Sequence, residues 1–201
     1  PTRAKFINFN SLLKCSFLIR NILISVFSFN ETKYRISLKK TNLGAKTMTG
    51  KFETKLTQMG VTLPDAPAPA ANYVPYAHVG NLVYVSGQVS QDTQGFIVGK
   101  LGATMTTEEG AAAARTCAIS LLAQVKAACN GDLDRLVRVV KLSGFVNSTQ
   151  DYTEQPAVIN GASDFLGQAL GEAGKHARAA VSAPSLPMGV AVEIEGIFQI
   201  T

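Results

Sequence analysis

The chain has 201 residues, 46% of them hydrophobic, three cysteines and a formal net charge of +5. Taken whole, that suggests a basic single domain, but the charge is uneven. Residues 1–47 carry nine Lys or Arg and one acid, whereas residues 48–201 carry ten against thirteen, a net of −3, which argues against nucleic-acid binding by phosphate neutralisation.

Ser11 to Phe29 is apolar but broken by Lys14, Arg20 and Asn21, too interrupted for a bilayer-spanning helix. Two readings of residues 1–47 stay open. They are basic, serine-containing and acid-poor, the composition of a mitochondrial transit peptide. Alternatively, since the chain starts at Pro1 and its first methionine is Met48, they are upstream sequence carried into the reading frame. In both cases they stand outside the fold. The expected compartment is cytoplasmic, or mitochondrial if the transit reading holds.

Residues 48–72 read as a lead-in. Phe52, Leu56, Met59 and Val61 suit a short helical turn, and Pro64, Pro67 and Pro69 an extended linker. The domain proper is expected over 73–201. A strand begins at Tyr76, another runs from Asn81 to Gly87, and a turn over Gln91 to Gly95 leads into Phe96–Val98. Thr106 with Glu109 forms a capping-box pattern ahead of Ala111, Ala114, Ala118, Leu122 and Val125 at helical spacing, and Asn130-Gly131 ends that helix. Leu136 to Val146 is a long strand with Gly144 as its expected bulge. Pro156 opens a second helix whose buried face is Val158, Ala162, Phe165, Ala169 and Leu170, ended by Gly171 and Gly174.

The last stretch reads as two strands, Ala177–Ser182 and Val190–Gln199, joined by a hairpin-type turn through Pro184, Pro187 and Gly189. Such a hairpin sets Arg178 opposite Glu193 or Glu195, on one face. A surface ion pair and a guanidinium-plus-carboxylate ligand site both fit that arrangement. The element order implies one α+β domain, a mixed sheet with two helices on one face. Cys117 and Cys129 match no metal spacing and read as small buried apolar residues. With His78 and His176 far apart in sequence, no zinc or iron centre is expected. No secretory signal precedes Met48, which fits a reducing, intracellular setting.

Arg178, Val181, Leu186-Pro187 and Val192-Glu193-Ile194-Glu195, in this order and spacing, resemble the C-terminal signature of the RidA/YjgF family of reactive-intermediate deaminases. Pro75-Tyr76, Gly80-Asn81 through Ser86-Gly87-Gln88, Phe145-Val146 with Asp151-Tyr152, and Asn160 extend the likeness from Tyr73 to Ile200. The resemblance implies a chorismate-mutase-like homotrimer with ligand clefts between subunits. It also implies hydrolysis of enamines and imines such as 2-aminoacrylate to a 2-keto acid and ammonia, without metal or organic cofactor.

By the same resemblance, Arg178 binds the substrate carboxylate and Glu193 positions or polarises the water. Tyr76, Ser86 and Asn160 supply hydrogen bonds and close over the ligand. A carboxylate suits a planar, permanently charged fork, and an imine is already electrophilic, so positioning and modest proton transfer suffice. Glu195 shares the strand face of Glu193; the spacing from Arg178 decides for Glu193. Val74 stands where the family has glycine, the Tyr76–Asn81 loop is short, and Ala180 replaces a frequent cysteine, marks of a separate branch. The partner expected is a small carboxylate-bearing imine, enamine or 2-keto acid, with no membrane and no nucleic acid. A non-catalytic metabolite-binding trimer that regulates a partner, an endoribonuclease or translation inhibitor, and an amidase-like hydrolase are the rival readings.

Overall fold

The computed structural model describes residues 50–66 and 72–201; the readings of the leader, of Cys15 and of Pro67 and Pro69 fall outside these. In chain order the elements are α1 (Lys51–Gln58), β1 (Tyr76–Val79), β2 (Leu82–Val89) and the two-residue strands β3 (Gln91–Asp92) and β4 (Gly95–Phe96). Then come α2 (Thr107–Ala128), β5 (Leu136–Asn147), α3 (Gln155–Leu170), β6 (Ala177–Ala183) and β7 (Val192–Ile200). Five strands form one mixed sheet in the order β1-β2-β7-β5-β6, with β5 and β6 parallel and the other pairs antiparallel. A parallel pair needs a crossover, and α3 is that crossover. This is one α+β domain, a mixed sheet with α2 and α3 packed on one face.

Among the described residues, helices cover one face of the sheet. Along β7, Val192, Ile194, Gly196 and Phe198 are buried while Glu193, Glu195 and Ile197 on the other face are not. That period of two is what a strand covered on one side shows. Onto the buried face α2 lays Ala114, Cys117, Ala118, Leu121 and Leu122, and α3 lays Val158, Ile159, Ala162 and Leu166. The capping box of α2 forms as expected: Glu109 N donates to Thr106 Oγ1 and Thr106 N donates to the Glu109 carboxylate. Asn130 and Gly131, both at positive φ, end the helix, as their residue types suggest.

Small residues set how closely the layers approach. A Cβ on Gly161 of α3 would run into the carbonyl oxygen of Ala111 on α2. Gly144 likewise admits Ile159: a methyl there would meet its Cδ1 at 2.5 Å. The expected bulge at Gly144 is absent. The β5–β7 register shifts lie instead between Leu136 and Arg138 and between Val139 and Lys141, and Gly144 keeps regular pairing with Ile194.

Helix α1 forms where Phe52 and Leu56 suggest a helical turn and packs on the body: both are buried, and Asp134 accepts from the backbone N–H groups of Lys51 (2.8 Å) and Phe52 (3.1 Å). Those first-turn donors have no partner within the helix, so a carboxylate from elsewhere in the chain serves as their cap. The expected terminal hairpin does not form: β5 lies between β6 and β7 and pairs with both. The connecting segment crosses the end of β5, where Asn147 Nδ2 donates to Val190 O (3.1 Å) and Lys100 Nζ to Pro184 O (2.6 Å). Among the described residues no helix is long and apolar enough to cross a membrane.

Candidate functional site

Arg178 sits on β6, an edge strand, and pairs in register with Leu142, which is buried under the helices. Its side chain therefore leaves the sheet on the helix side, at the margin where α3 runs alongside. There it donates from Nη1 to Ser163 Oγ (2.8 Å) and from Nη2 to Asn160 Oδ1 (2.8 Å) and Pro156 O (3.2 Å). Asn160 and Ser163, three apart on α3, present their oxygens from one helical face. A groove of about 320 Å³ opens here, lined by Asn160, Ser163, Gly167, Lys175, His176 and Arg178 among others.

All three acceptors are neutral. Among the described residues no carboxylate lies within ion-pair distance of Arg178. The guanidinium is thus fixed in orientation but keeps an uncompensated charge beside an open groove, an arrangement suited to a planar anion.

Glu193 lies elsewhere. It pairs in register with Phe145 on β5 and Val89 on β2, on the open face of the sheet. Its carboxylate rests over Gly87, where any Cβ would collide with it. Gly87 falls in the register shift of β2 between Val85 and Gln88, so the Ser86-Gly87-Gln88 motif has a physical reason: a bulge without a side chain makes room for Glu193. Burial, with Glu195 adding like charge, pushes the Glu193 carboxyl above its ordinary value.

Ser86 shares that bulge. Its Oγ donates to Val74 O (2.8 Å) and its N–H to Pro75 O (3.0 Å), pinning the approach to β1. It also lines a hollow of about 450 Å³ on the open face with Tyr84, Lys141, Ser143 and Glu195. Tyr76 pairs with buried Val85, packs against the core margin and stacks at a tilt on His78, with ring centroids 5.7 Å apart.

One protomer therefore brings together Arg178 and Asn160 but not the other three. Glu193 is two strand spacings from Arg178 and on the opposite face, which corrects the expectation of a shared face. Tyr76 is on the far edge strand, four spacings or roughly 19 Å across the sheet. The correction follows from β5 intervening between β6 and β7. Ser163 and His176 enter the Arg178 cluster as residues the sequence reading left out of the site. The signal for Ser163 was its place three residues after Asn160 on a helix; nothing local marked His176.

Comparison with known proteins gives consistent matches. The family model described as "YjgF/chorismate mutase-like, putative endoribonuclease" matches residues 53–195. Protein TCP17 of Trypanosoma cruzi is 48% identical over 153 residues, covering 75% of this chain and 95% of its own. Among solved structures, the protein Atu1372 of Agrobacterium tumefaciens, of unknown function, is 46% identical, with 80% of this chain and 99% of that one covered and a TM-score of 0.72. A "putative endoribonuclease" of Shewanella oneidensis MR-1 is 34% identical, with 75% and 100% covered and a TM-score of 0.72.

Proposed function

The chain belongs to the YjgF/chorismate mutase-like family, and from that premise we propose that it hydrolyses carboxylate-bearing enamines and imines to 2-keto acids and ammonia. The observation that carries this reading is Arg178, held by three neutral acceptors and facing an open groove with its charge unpaired among the described residues. Binding a carboxylate there replaces water on a preoriented fork, which costs less ordering than recruiting a mobile lysine.

The proposed assembly is a homotrimer. Its ligand cleft joins the β6–α3 margin of one protomer, with Arg178 and Asn160, to a neighbour's surface carrying Glu193, Ser86 and Tyr76. Separation of the two sets within one protomer supports an intersubunit cleft, because each set alone lacks half of the chemistry. In that cleft the Glu193 carboxylate takes a proton from water as the water oxygen attacks the C=N carbon. That proton passes to nitrogen, giving a carbinolamine; the new hydroxyl then loses its own proton, which Glu193 relays to the amine, and as the C=O bond forms the C–N bond breaks and ammonia leaves with the bonding electron pair. A carboxyl raised by burial is the better base for this than an ordinary surface glutamate.

RNA hydrolysis, the activity in the Shewanella relative's name, is disfavoured by the net −3 of residues 48–201. The test couples the protein to a dehydratase that releases 2-aminoacrylate and follows keto-acid formation. Wild type should accelerate release over buffer, and Arg178→Ala should return it to the buffer rate. Ligand binding with no acceleration leaves a non-catalytic metabolite binder instead.

A further inference from the structure

Behind Arg178 the hydrogen bonds run in one direction. His176 Nδ1 lies 2.6 Å from the carbonyl oxygen of Gly174, which only accepts, so Nδ1 carries the ring proton. In the neutral ring Nε2 is then an acceptor, and it lies 3.1 Å from Ser163 Oγ. The hydroxyl accordingly donates to His176 while accepting from Arg178 Nη1 at 2.8 Å. A backbone carbonyl orients an imidazole, the imidazole holds a serine proton, and that serine touches the anion-seeking guanidinium. All three side chains line the same groove.

We propose that Ser163 and His176 are the proton-handling arm of the Arg178 pocket: when an anionic ligand docks on Arg178, His176 takes up a proton and the Ser163 hydroxyl turns from the ring to the ligand. The inference rests on the reading of Arg178 as the anion-binding group. It adds two residues and a linkage which that reading does not contain.

The charges around His176 give the linkage its sign. Arg178 faces it from β6. Lys175 precedes it and is paired with Glu172 at 2.7 Å, and Arg138 of β5 donates to the Lys175 carbonyl. Lys141 is in register with Ala177 and belongs to the open-face hollow. From α3 the groove receives Asn160, Ser163 and Gly167, while the nearest carboxylate in that sequence, Asp164, is exposed and not part of the lining. The cations dominate the groove, and burial and Arg178 both hold the ring below its ordinary value, against the opposing pull of the Gly174 carbonyl. A carboxylate on Arg178 cancels that positive field and supplies an acceptor for the freed serine proton. Protonated His176 then donates from Nε2 to Ser163, and Ser163 donates onward to the ligand. No atom has to move far; only the hydroxyl rotates.

Pyruvate is the probe, because it carries the carboxylate and carbonyl of the proposed product without reacting. Titration calorimetry of the full chain in two buffers of different ionisation enthalpy measures proton uptake. Binding should tighten about three- to tenfold from about pH 8 to about pH 6, with net uptake of protons. His176→Gln, which retains an amide acceptor for Ser163, should bind with that pH dependence lost. In wild type, nitrogen-15 NMR of the two histidines (His78 and His176) follows the rings directly and needs no variant to fold. Pyruvate should raise the His176 pKa. A slope that persists in His176→Gln, or a pyruvate-induced shift confined to His78, overturns the inference while leaving the deaminase reading intact. Proton-linked pyruvate binding without imine hydrolysis above the buffer rate sinks deamination alone and supports the arm. If pyruvate fails to bind wild type at all, both fall.

Discussion

Arg178 spends its donors on a hydroxyl, a carboxamide and a backbone carbonyl, and each fixes the plane of the fork without neutralising it. Lysine cannot reproduce this: one ammonium has no rigid pair of prongs to reach Ser163 and Asn160 together while still facing a ligand. Arg178→Lys should therefore keep the fold and lose about 100-fold or more in kcat/KM, the cost expected of about 3 kcal/mol of charge-assisted bonding. Activity within a few-fold of wild type would mean that charge alone suffices. Glu193 offers the opposite trade. Its charge is half-buried beside Glu195, and its folded pKa lies above the ordinary 4.5, so the folded state binds the extra proton. Ionisation thus costs stability as pH rises through that window, and the cost is absent below it. Glu193→Gln should abolish hydrolysis yet raise stability at neutral pH by about 0.5 kcal/mol after solvent screening, a gain that vanishes near pH ~4. Thermal melts at the two pH values read this directly; a neutral-pH loss would show that Glu193 already has a compensating cation.

At the scale of elements, α3 is both a core helix and the ruler for the site, since Pro156, Asn160 and Ser163 all reach Arg178 from it. Its distance from α2 depends on Gly161, whose missing Cβ leaves room for the Ala111 carbonyl. Gly161→Ala pushes against backbone, so it should cost about 2–3 kcal/mol and shift the Asn160–Ser163 face. Gly167, on the same helix, has nothing within 4 Å of an added Cβ. Gly167→Ala should stabilise by about 0.5–1 kcal/mol through helix propensity. Chemical denaturation of both variants separates packing from propensity, and equal effects would refute the packing argument. What was legible beforehand follows the same division. The capping box of α2, its Asn130-Gly131 stop and the apolar faces of both helices are local patterns, and they were readable. The partners of β6 and β7 were not, because alternation along β7 says which face is covered but not which strand lies beside it. Nor could the direction of Arg178 be read: Ala177, Ala179, Ala180 and Ser182 give β6 no polar–apolar contrast. The expectation that Arg178, Asn160 and Glu193 serve a site came through family likeness. Their division between two faces needed the fold.

At the scale of the molecule, the helices of the described residues leave the second face of the sheet uncovered, and that face is not a uniformly polar surface. Tyr84 pairs in register with Ile197, Val79 with Leu82, and Val181 with Phe145. Tyr84, Val79 and Val181 are 42%, 61% and 46% exposed. Apolar side chains clustered on an open sheet mark a surface meant to be covered, and in the proposed trimer a neighbouring protomer covers it. The same face carries Glu193 and Ser86, so under the proposed function assembly and chemistry depend on each other. Replacing Tyr84 and Ile197 together by aspartate adds charge only on this face and leaves the helix-side core untouched. The double variant should sediment as a folded monomer, with the circular dichroism of wild type. Its imine hydrolysis should fall to the buffer rate although the β6–α3 groove is intact, because Arg178 then has no Glu193 within reach of its ligand. A monomer that turns over at the wild-type rate would show that one protomer holds a complete site, and the shared cleft would have to be abandoned.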